Sequence, residues 1–390
     1  MKIGIDKIGF YTPHMYVETE DLAVARNIEP GKFTIGIGQE RIAVPPITQD
    51  AVSLAANAAL EILTDEDKEA IDYVIFATES GIDHSKAASI YIHQLLGLNR
   101  NTRSIEVKQA CYSATAGIQM ARGHIALNPE SKALILGADI SRYGLQTSGE
   151  VTQGAGAVAI VVSADPKIMT VESPSVYQTE DVMDFWRPLY SDTAFVQGKY
   201  SVDKYIGFFQ ELFAEYTKKT SVGLSDLEAI LFHLPYTKMG LKALKSVLED
   251  ANEADKERLL ANFDTSKKYN ATVGNIYTGS LYLSLLSLLE GNTNIDPGAR
   301  VGLFSYGSGA VGEFFTGVLQ PNYREHLYKE QHEQMLANRT ALTVAEYEAQ
   351  FNDTLPVAVE NIDLPTDKDP ATICFAGIKD HMRQYVRKDQ

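Results

Sequence analysis

The chain has 390 residues, 45% of them hydrophobic and 22% charged, with a formal net charge of −16. That length exceeds one small core and points to two domains or one two-part body, and the composition is that of a soluble globular protein. The acidic balance excludes nucleic acid and anionic membrane as general partners, and the longest apolar runs, such as AVAIVV at 157–162, fall far short of a bilayer span.

The opening MKIGIDKIGFYTP alternates apolar and polar residues like a strand. It lacks the basic, apolar and small-residue segments of a signal peptide, so a cytoplasmic location is expected. QDAVSLAANAALEIL (49–63) has helical spacing, and YVIFATES (73–80) is a β-rich run that carries Glu79 at its end. RSIEV (103–107) is a further short strand, after which QACYSATAG (109–117) turns into a helix of small residues that continues through IQMARGHIAL (118–127). KALILGAD (132–139) and GAVAIVVS (156–163) read as strands again. This alternation predicts an α/β architecture with largely buried strands.

The second part of the chain repeats the first. DYVIFATES (72–80) is answered by EAILFHLPY (228–236), CYSATAGIQMA (111–121) by NIYTGSLYLSLL (275–286), and GAGAVAIVV (154–162) by GSGAVGEFF (307–315). Three echoes in one order indicate a duplication, with LEDANEADKERLL (248–260) as a charged insertion. The expected organisation is two βαβ-type halves, 1–165 and 166–390, facing each other with Cys111 opposite Asn275. The stretch 320–369 reads as charged helices and connections decorating the second half. ATICFAGIKD returns to a β pattern, and the basic IKDHMRQYVRKDQ reads as a solvated terminal segment.

Two cysteines, Cys111 and Cys374, make no disulfide framework and fit a reducing compartment. No CxxC, HxxxH or HExxH spacing offers a metal site. Cys111 opens a helix, where unpaired amides and the macrodipole are expected to lower the thiol pKa and make a nucleophile; the other reading is a small packed hydrophobe. Glu79 is either a helix cap or, in a dry cleft, a general base. His233 follows an apolar strand, where catalytic groups project in open α/β sheets; it is an acid/base partner for Cys111 by type, or a structural histidine. Asn275 is a donor to a substrate carbonyl or a turn residue. In SYGSGAVG (305–312) the glycines let amides point inward, so the N–H of Ser308 can join that of Cys111 in an oxyanion hole. The run does not match a nucleotide-binding loop.

A cysteine in a strand-to-helix elbow, His and Asn from the second half, and the SYGSG turn together resemble the thiolase superfamily across essentially the whole chain. Within it, ACYSATAG, FHLPYTK, GNIYTGS, SYGSG and especially ATESGID are similar to the 3-hydroxy-3-methylglutaryl-CoA (HMG-CoA) synthase family of the shorter bacterial type. DFWRPLYSDTAFVQGKYSVDKY (184–205) and EPGKFTIGIGQER (29–41) resemble that family's substrate-binding stretches.

The resemblance implies a thiolase-like fold in a layered α/β/α/β/α arrangement. It implies an acyltransferase that condenses acetyl-CoA with acetoacetyl-CoA and water to give HMG-CoA and CoA through an acetyl-cysteine, in the mevalonate route to isoprenoids. A homodimer without metal or resident cofactor is implied as well. Cys111 would be the nucleophile, Glu79 the base, and His233 with Asn275 the holders of acetoacetyl-CoA. Ser308, Thr152, Ser201, Tyr143, Asp139 and Asp184 match positions lining the acyl and pantetheine site. Lys238 and Lys242 match phosphate contacts, and Glu29 and Pro30 lie near the adenine. The two lysines share one helical face and can equally be read as solvated charges.

Type III ketoacyl synthases also use Cys, His and Asn, but they make their carbanion by losing CO₂ and need no carboxylate base. Thiolases carry a second catalytic cysteine in a glycine-rich motif; ICFAGIKD around Cys374 lacks one, so Cys374 reads as structural. Glu79 therefore favours the synthase. A non-catalytic acyl-CoA-binding protein on the same fold is the reading from outside enzymes.

Overall fold

The computed structural model describes residues 1–389. Ile3–Tyr11 is a strand buried on both faces, with Ile5, Ile8 and Phe10 fully enclosed. Its one acid, Asp6, is buried too and is matched by the Lys132 ammonium at 2.9 Å. Such a strand belongs in the middle of a covered sheet.

From its outer edge, the first half orders its strands Arg103–Val107, Ile71–Ala77, Lys132–Ser141, Gly154–Ala164 and Ile3–Tyr11. The first two pairings are parallel and the next two antiparallel. The second half runs Ala229–Phe232, Arg300–Gly307, Val311–Leu319 and Met169–Val171, paired parallel, antiparallel and antiparallel. The shared order and directions are the structural form of the sequence echoes. Among the described residues the second half has no counterpart of Arg103–Val107; helices Glu253–Ser266 and Lys268–Val273 fill that stretch. The halves join edge to edge where Gly4 and Ile5 pair with Thr170 and Met169. With Val176–Thr179 added beside Val311–Phe314, the strands make one ten-stranded sheet.

Helices Ser113–Leu127 and Ser280–Gly291 lie between the halves. The second is buried on every side from Ser280 to Glu290, and Thr115 of the first hydrogen-bonds Tyr282 at 2.7 Å and Ser305 at 2.8 Å. Ala51–Ile62, capped by Asp50 and Ser53, packs into the first half's core. Gly198–Thr220 covers the second half with Phe208, Phe209 and Leu212, which meet Phe232, Phe304 and Phe314. The result is the layered α/β/α/β/α body, held by aromatic and aliphatic burial worth about 1.5–3 kcal/mol per side chain. No helix among the described residues is long and apolar enough to cross a membrane.

The segment after residue 320 departs from expectation. Instead of decorating the second half, most of it packs on the first. Thr340–Leu342 pairs with Met15–Val17, the N–H of Phe10 donates to His332 Nε2 at 3.2 Å, and Asn57 exchanges hydrogen bonds with the backbone of Ile373. The reason is polar as well as apolar: buried side chains of the first half need partners that this segment supplies. Cys374 is fully buried here, in a separate three-stranded sheet.

Candidate active site

The C-terminal ends of the parallel strands converge on one place. Ile71–Ala77 leads to Glu79, Arg103–Val107 to Cys111, Ala229–Phe232 to His233, and Arg300–Gly307 to Ser308. Lys132–Ser141 leads to Tyr143.

Cys111 sits on a strained elbow. Ala110 holds φ at +43°, a left-handed conformation that costs a non-glycine residue about 1–2 kcal/mol. The turn is over-determined: the Ser113 hydroxyl donates to the Ala110 carbonyl at 2.9 Å, and Gln109 Nε2 donates to the Ser308 carbonyl at 3.2 Å. Gly307 lets the second half approach this closely, since a Cβ there would lie 2.5 Å from the Gln109 carbonyl oxygen. The corresponding turn of the second half is built alike. Gly274 takes φ +93° directly before Asn275, against the Gln153 carbonyl. Asn275 Oδ1 accepts the Tyr277 N–H at 2.9 Å, which fixes the amide so that its NH₂ faces the Tyr143 hydroxyl at 3.5 Å.

The Cys111 thiol donates to Glu79 Oε1 at 3.2 Å. Both side chains are half-buried, and the surrounding protein desolvates their charge. Burial first, and then the neighbouring Asp139 carboxylate, push the Glu79 carboxyl up to about 8. Burial and the charge of Glu79 push the Cys111 thiol up as well. The sequence argument expected the helix N-terminus to lower it. That expectation fails because a carboxylate in contact and the loss of water outweigh the partial charge of a helix end. The site therefore holds a thiol in contact with a carboxyl, both pushed toward their protonated forms.

Asp139 and Asp184 also need correction. Both were expected to line the substrate site, and both are completely buried. Asp139 accepts from Thr78 Oγ1, the Glu79 N–H, Ser80 Oγ, and the N–H and hydroxyl of Thr278, at 2.6–3.1 Å. Its lone pairs are spent on holding the Glu79 turn to the second half. Asp184 accepts the Gly309 N–H and the Tyr306 hydroxyl, each at 2.9 Å, and the Ser201 hydroxyl at 3.5 Å. It anchors the turn that carries Ser308.

His233 is tied by its backbone, donating to the Phe304 carbonyl at 3.0 Å and accepting from the Tyr205 hydroxyl at 2.6 Å. Its Nδ1 is buried without a partner. Burial lowers the imidazole to about 3, so it is neutral at physiological pH. The acid/base role read from the residue type does not suit such a group; holding a substrate by a hydrogen bond from a neutral ring does. Tyr277 likewise keeps a buried, unpartnered hydroxyl, packed edge-on with Tyr143 at 6.2 Å and Phe185 at 5.9 Å. Buried polar atoms left without partners are uncommon, and that of Tyr277 lies on a side chain that neighbours both Glu79 and Cys111.

The coenzyme candidates cluster outside this floor. The Thr237 hydroxyl donates to the Gly38 carbonyl at 2.6 Å, which brings Glu29 and Pro30 to the same end as Lys238 and Lys242 on helix Thr237–Lys245. Lys242 is exposed and Lys238 half-buried, and neither forms an ion pair among the described residues. Thr152 is half-buried, its hydroxyl donating to the Gly149 carbonyl at 2.8 Å. Ser201 is buried on helix Gly198–Thr220, one turn from Tyr205. Two surface cavities, about 340 Å³ beside Asp226 and Arg258 and about 380 Å³ beside His14 and Glu61, contain none of these residues. Among the described residues no group of three or more His, Cys, Asp or Glu side chains is placed to hold a metal ion.

Sequence reasoning passed over Tyr277, Tyr205 and Arg187. Tyr277 stood inside NIYTGS and Arg187 inside DFWRP, where a charged residue among aromatics was the available signal.

Twin halves that meet over a cysteine elbow are the architecture of the thiolase-like condensing enzymes, and this chain is an acyl-transferring enzyme of that class. Known proteins narrow it further. The family models described as hydroxymethylglutaryl-coenzyme A synthase N terminal and C terminal match residues 1–167 and 245–369. The hydroxymethylglutaryl-CoA synthase of Enterococcus faecalis is 50% identical over 385 residues, spanning 99% of this chain and 100% of that protein. A crystal structure of HMG-CoA synthase complexed with CoA superposes with a TM-score of 0.96 at 43% identity, covering 99% of this chain and 100% of that one. MvaS in complex with 3-hydroxy-3-methylglutaryl coenzyme A superposes at 0.89 with 33% identity and 99% of each chain. The chain belongs to the hydroxymethylglutaryl-CoA synthase family.

Proposed function

We propose that this enzyme condenses acetyl-CoA with acetoacetyl-CoA and water to 3-hydroxy-3-methylglutaryl-CoA and CoA, with Cys111 carrying the acetyl group and Glu79 moving the protons. The observation that carries this reading is the 3.2 Å contact between the Cys111 sulfur and the Glu79 carboxyl.

The Cys111 sulfur attacks the acetyl thioester and its proton ends on the departing CoA sulfur, a transfer that water at the half-buried thiol carries when Glu79 is absent, leaving an acetyl-enzyme and CoA. Glu79, again a carboxylate, takes a proton from the acetyl methyl group. The resulting enolate oxygen is stabilised by the N–H groups of Cys111 and Ser308, each worth about 3 kcal/mol. The carbanion attacks the ketone of acetoacetyl-CoA, oriented by neutral His233 and the Asn275 amide, and the new alkoxide takes the proton that Glu79 holds. Water then cleaves the enzyme thioester, returning the Cys111 thiol and releasing HMG-CoA as the free acid. No resident metal or cofactor takes part. Half-buried Lys238 and exposed Lys242, neither in an ion pair among the described residues and both on the side of Glu29 and Pro30, support binding of the CoA phosphates and adenine there.

The same reading places the enzyme in the cytoplasm, in the mevalonate route, and as a homodimer. Support for the dimer is the terminal strand Arg103–Val107, which leaves the sheet an edge of unpaired backbone. The test is product analysis with purified protein. HMG-CoA formed from acetyl-CoA and acetoacetyl-CoA is the expected result. Release of CO₂ from malonyl thioesters with condensation intact in Glu79→Ala would favour the ketoacyl synthase reading instead.

A further inference from the structure

Arg187 has no part in the steps above. It follows Trp186 in a hairpin whose arms, Phe185–Trp186 and Phe195–Val196, pair antiparallel, with Trp186 and Phe195 stacked at 5.7 Å. The tip stands in solvent, Leu189 89% and Tyr190 88% exposed. The foot is pinned by Asp184 to the Ser308–Gly309 turn. From this second-half hairpin the Arg187 guanidinium crosses to the first half and donates to the backbone carbonyl of Glu79 itself.

The side chains that face the Glu79 carboxyl come from several elements. They are Cys111 of the elbow, Asp139 of strand Lys132–Ser141, Tyr143 of the loop after it, and Tyr277 of the second half's turn. Each of these is an acid, neutral or negative. Arg187 is the cation that acts on Glu79.

We propose that Arg187 is a positioning residue for the base, delivered by the 185–196 hairpin: docked, it fixes residue 79 through its carbonyl and offers the carboxylate a compensating positive charge. Because Asp184 ties the same hairpin to the Ser308 turn, one segment sets both the base and the amide that receives the enolate oxygen. An undocked hairpin leaves a base among acids, poorly able to ionise.

The inference rests on Glu79 being the base, and the test separates the two. Enzyme acetylated beforehand on Cys111 is mixed with acetoacetyl-CoA in single turnovers across neutral and alkaline pH, for wild type, Arg187→Gln, Arg187→Lys and Glu79→Gln. Arg187→Gln should move the midpoint of the profile upward by roughly half a unit or more, which lowers the rate at neutral pH about threefold or more and leaves the alkaline plateau near wild type. Arg187→Lys, which keeps the charge, should restore the wild-type midpoint. A wild-type midpoint in Arg187→Gln, or a Lys variant displaced as far as the Gln variant, overturns the proposal. Normal condensation in Glu79→Gln overturns the base assignment and the proposal together; a dead Glu79→Gln with an unmoved Arg187→Gln midpoint sinks the proposal alone. Arg187→Met provides the same neutral change if the Gln variant does not fold.

Discussion

The two halves use one architectural plan for different chemistry. Each brings to the site a turn whose leading residue has positive φ, Ala110 before Cys111 after strand Arg103–Val107, and Gly274 before Asn275 after helix Lys268–Val273. In the first half the turn presents a thiol against a carboxyl. In the second it presents an amide, while strand Ala229–Phe232 leads to a neutral imidazole with an unpartnered nitrogen. On the proposed mechanism the first half exchanges protons and forms bonds, whereas the second recognises and orients. Duplication supplied two converging turns, and the difference in side chains divided the labour between them.

That division predicts effects of different kind as well as size. Cys111→Ala removes the bond-forming atom, so overall turnover should fall by about 10⁴-fold or more, and intact mass spectrometry after acetyl-CoA should find no acetyl adduct. Glu79→Gln should lower the condensation step by about 10²–10⁴-fold. In the wild type that step should rise with pH and level off above about 8, where burial and Asp139 place the carboxyl, because the ionised form is the active one.

In the second half, His233→Ala should raise the KM for acetoacetyl-CoA about tenfold, the worth of one hydrogen bond in a buried setting. Acetylation of Cys111 should be untouched, and steady-state kinetics with each substrate varied would reveal a breach of the division if acetylation fell instead. Replacing both Lys238 and Lys242 by Ala should raise the KM for both thioesters severalfold and flatten its dependence on salt, since exposed charges act through screened attraction.

The smallest effect concerns stability. The folded-state carboxyl of Glu79 lies near 8 against an ordinary 4.5, so the folded protein binds the extra proton. The associated stability is present below pH 4.5 and is lost as pH rises through 8. Glu79→Gln should consequently melt above wild type at pH 8 and close to it at pH 4.5, measured by calorimetry.

Much of this was legible in the sequence because small and β-branched residues mark the duplicated strands, and because the turns at Cys111, His233, Asn275 and Ser308 carry polar residues at the ends of apolar runs. What the string did not carry was how charges in contact compete. The helix-end argument at Cys111 was sound locally and lost to Glu79, 32 positions away in sequence and 3.2 Å away in space. Asp139 and Asp184 were implied as substrate-site residues by the family resemblance alone, which does not display burial; here buried donors consume their oxygens. The segment after 320 was misplaced because its partners, Phe10, Asn57 and Met15, lie more than 300 residues earlier in the chain. Arg187 escaped notice because its target is a backbone carbonyl, which sequence does not display.

The central claim is that one carboxyl drives carbon–carbon bond formation while the neighbouring sulfur can still be acylated without it. Glu79→Gln incubated with acetyl-CoA and followed by intact mass spectrometry, before and after addition of acetoacetyl-CoA, tests this most directly. An acetyl adduct on Cys111 that forms and then persists is the predicted result. An adduct that is consumed to HMG-CoA at the wild-type rate would contradict it.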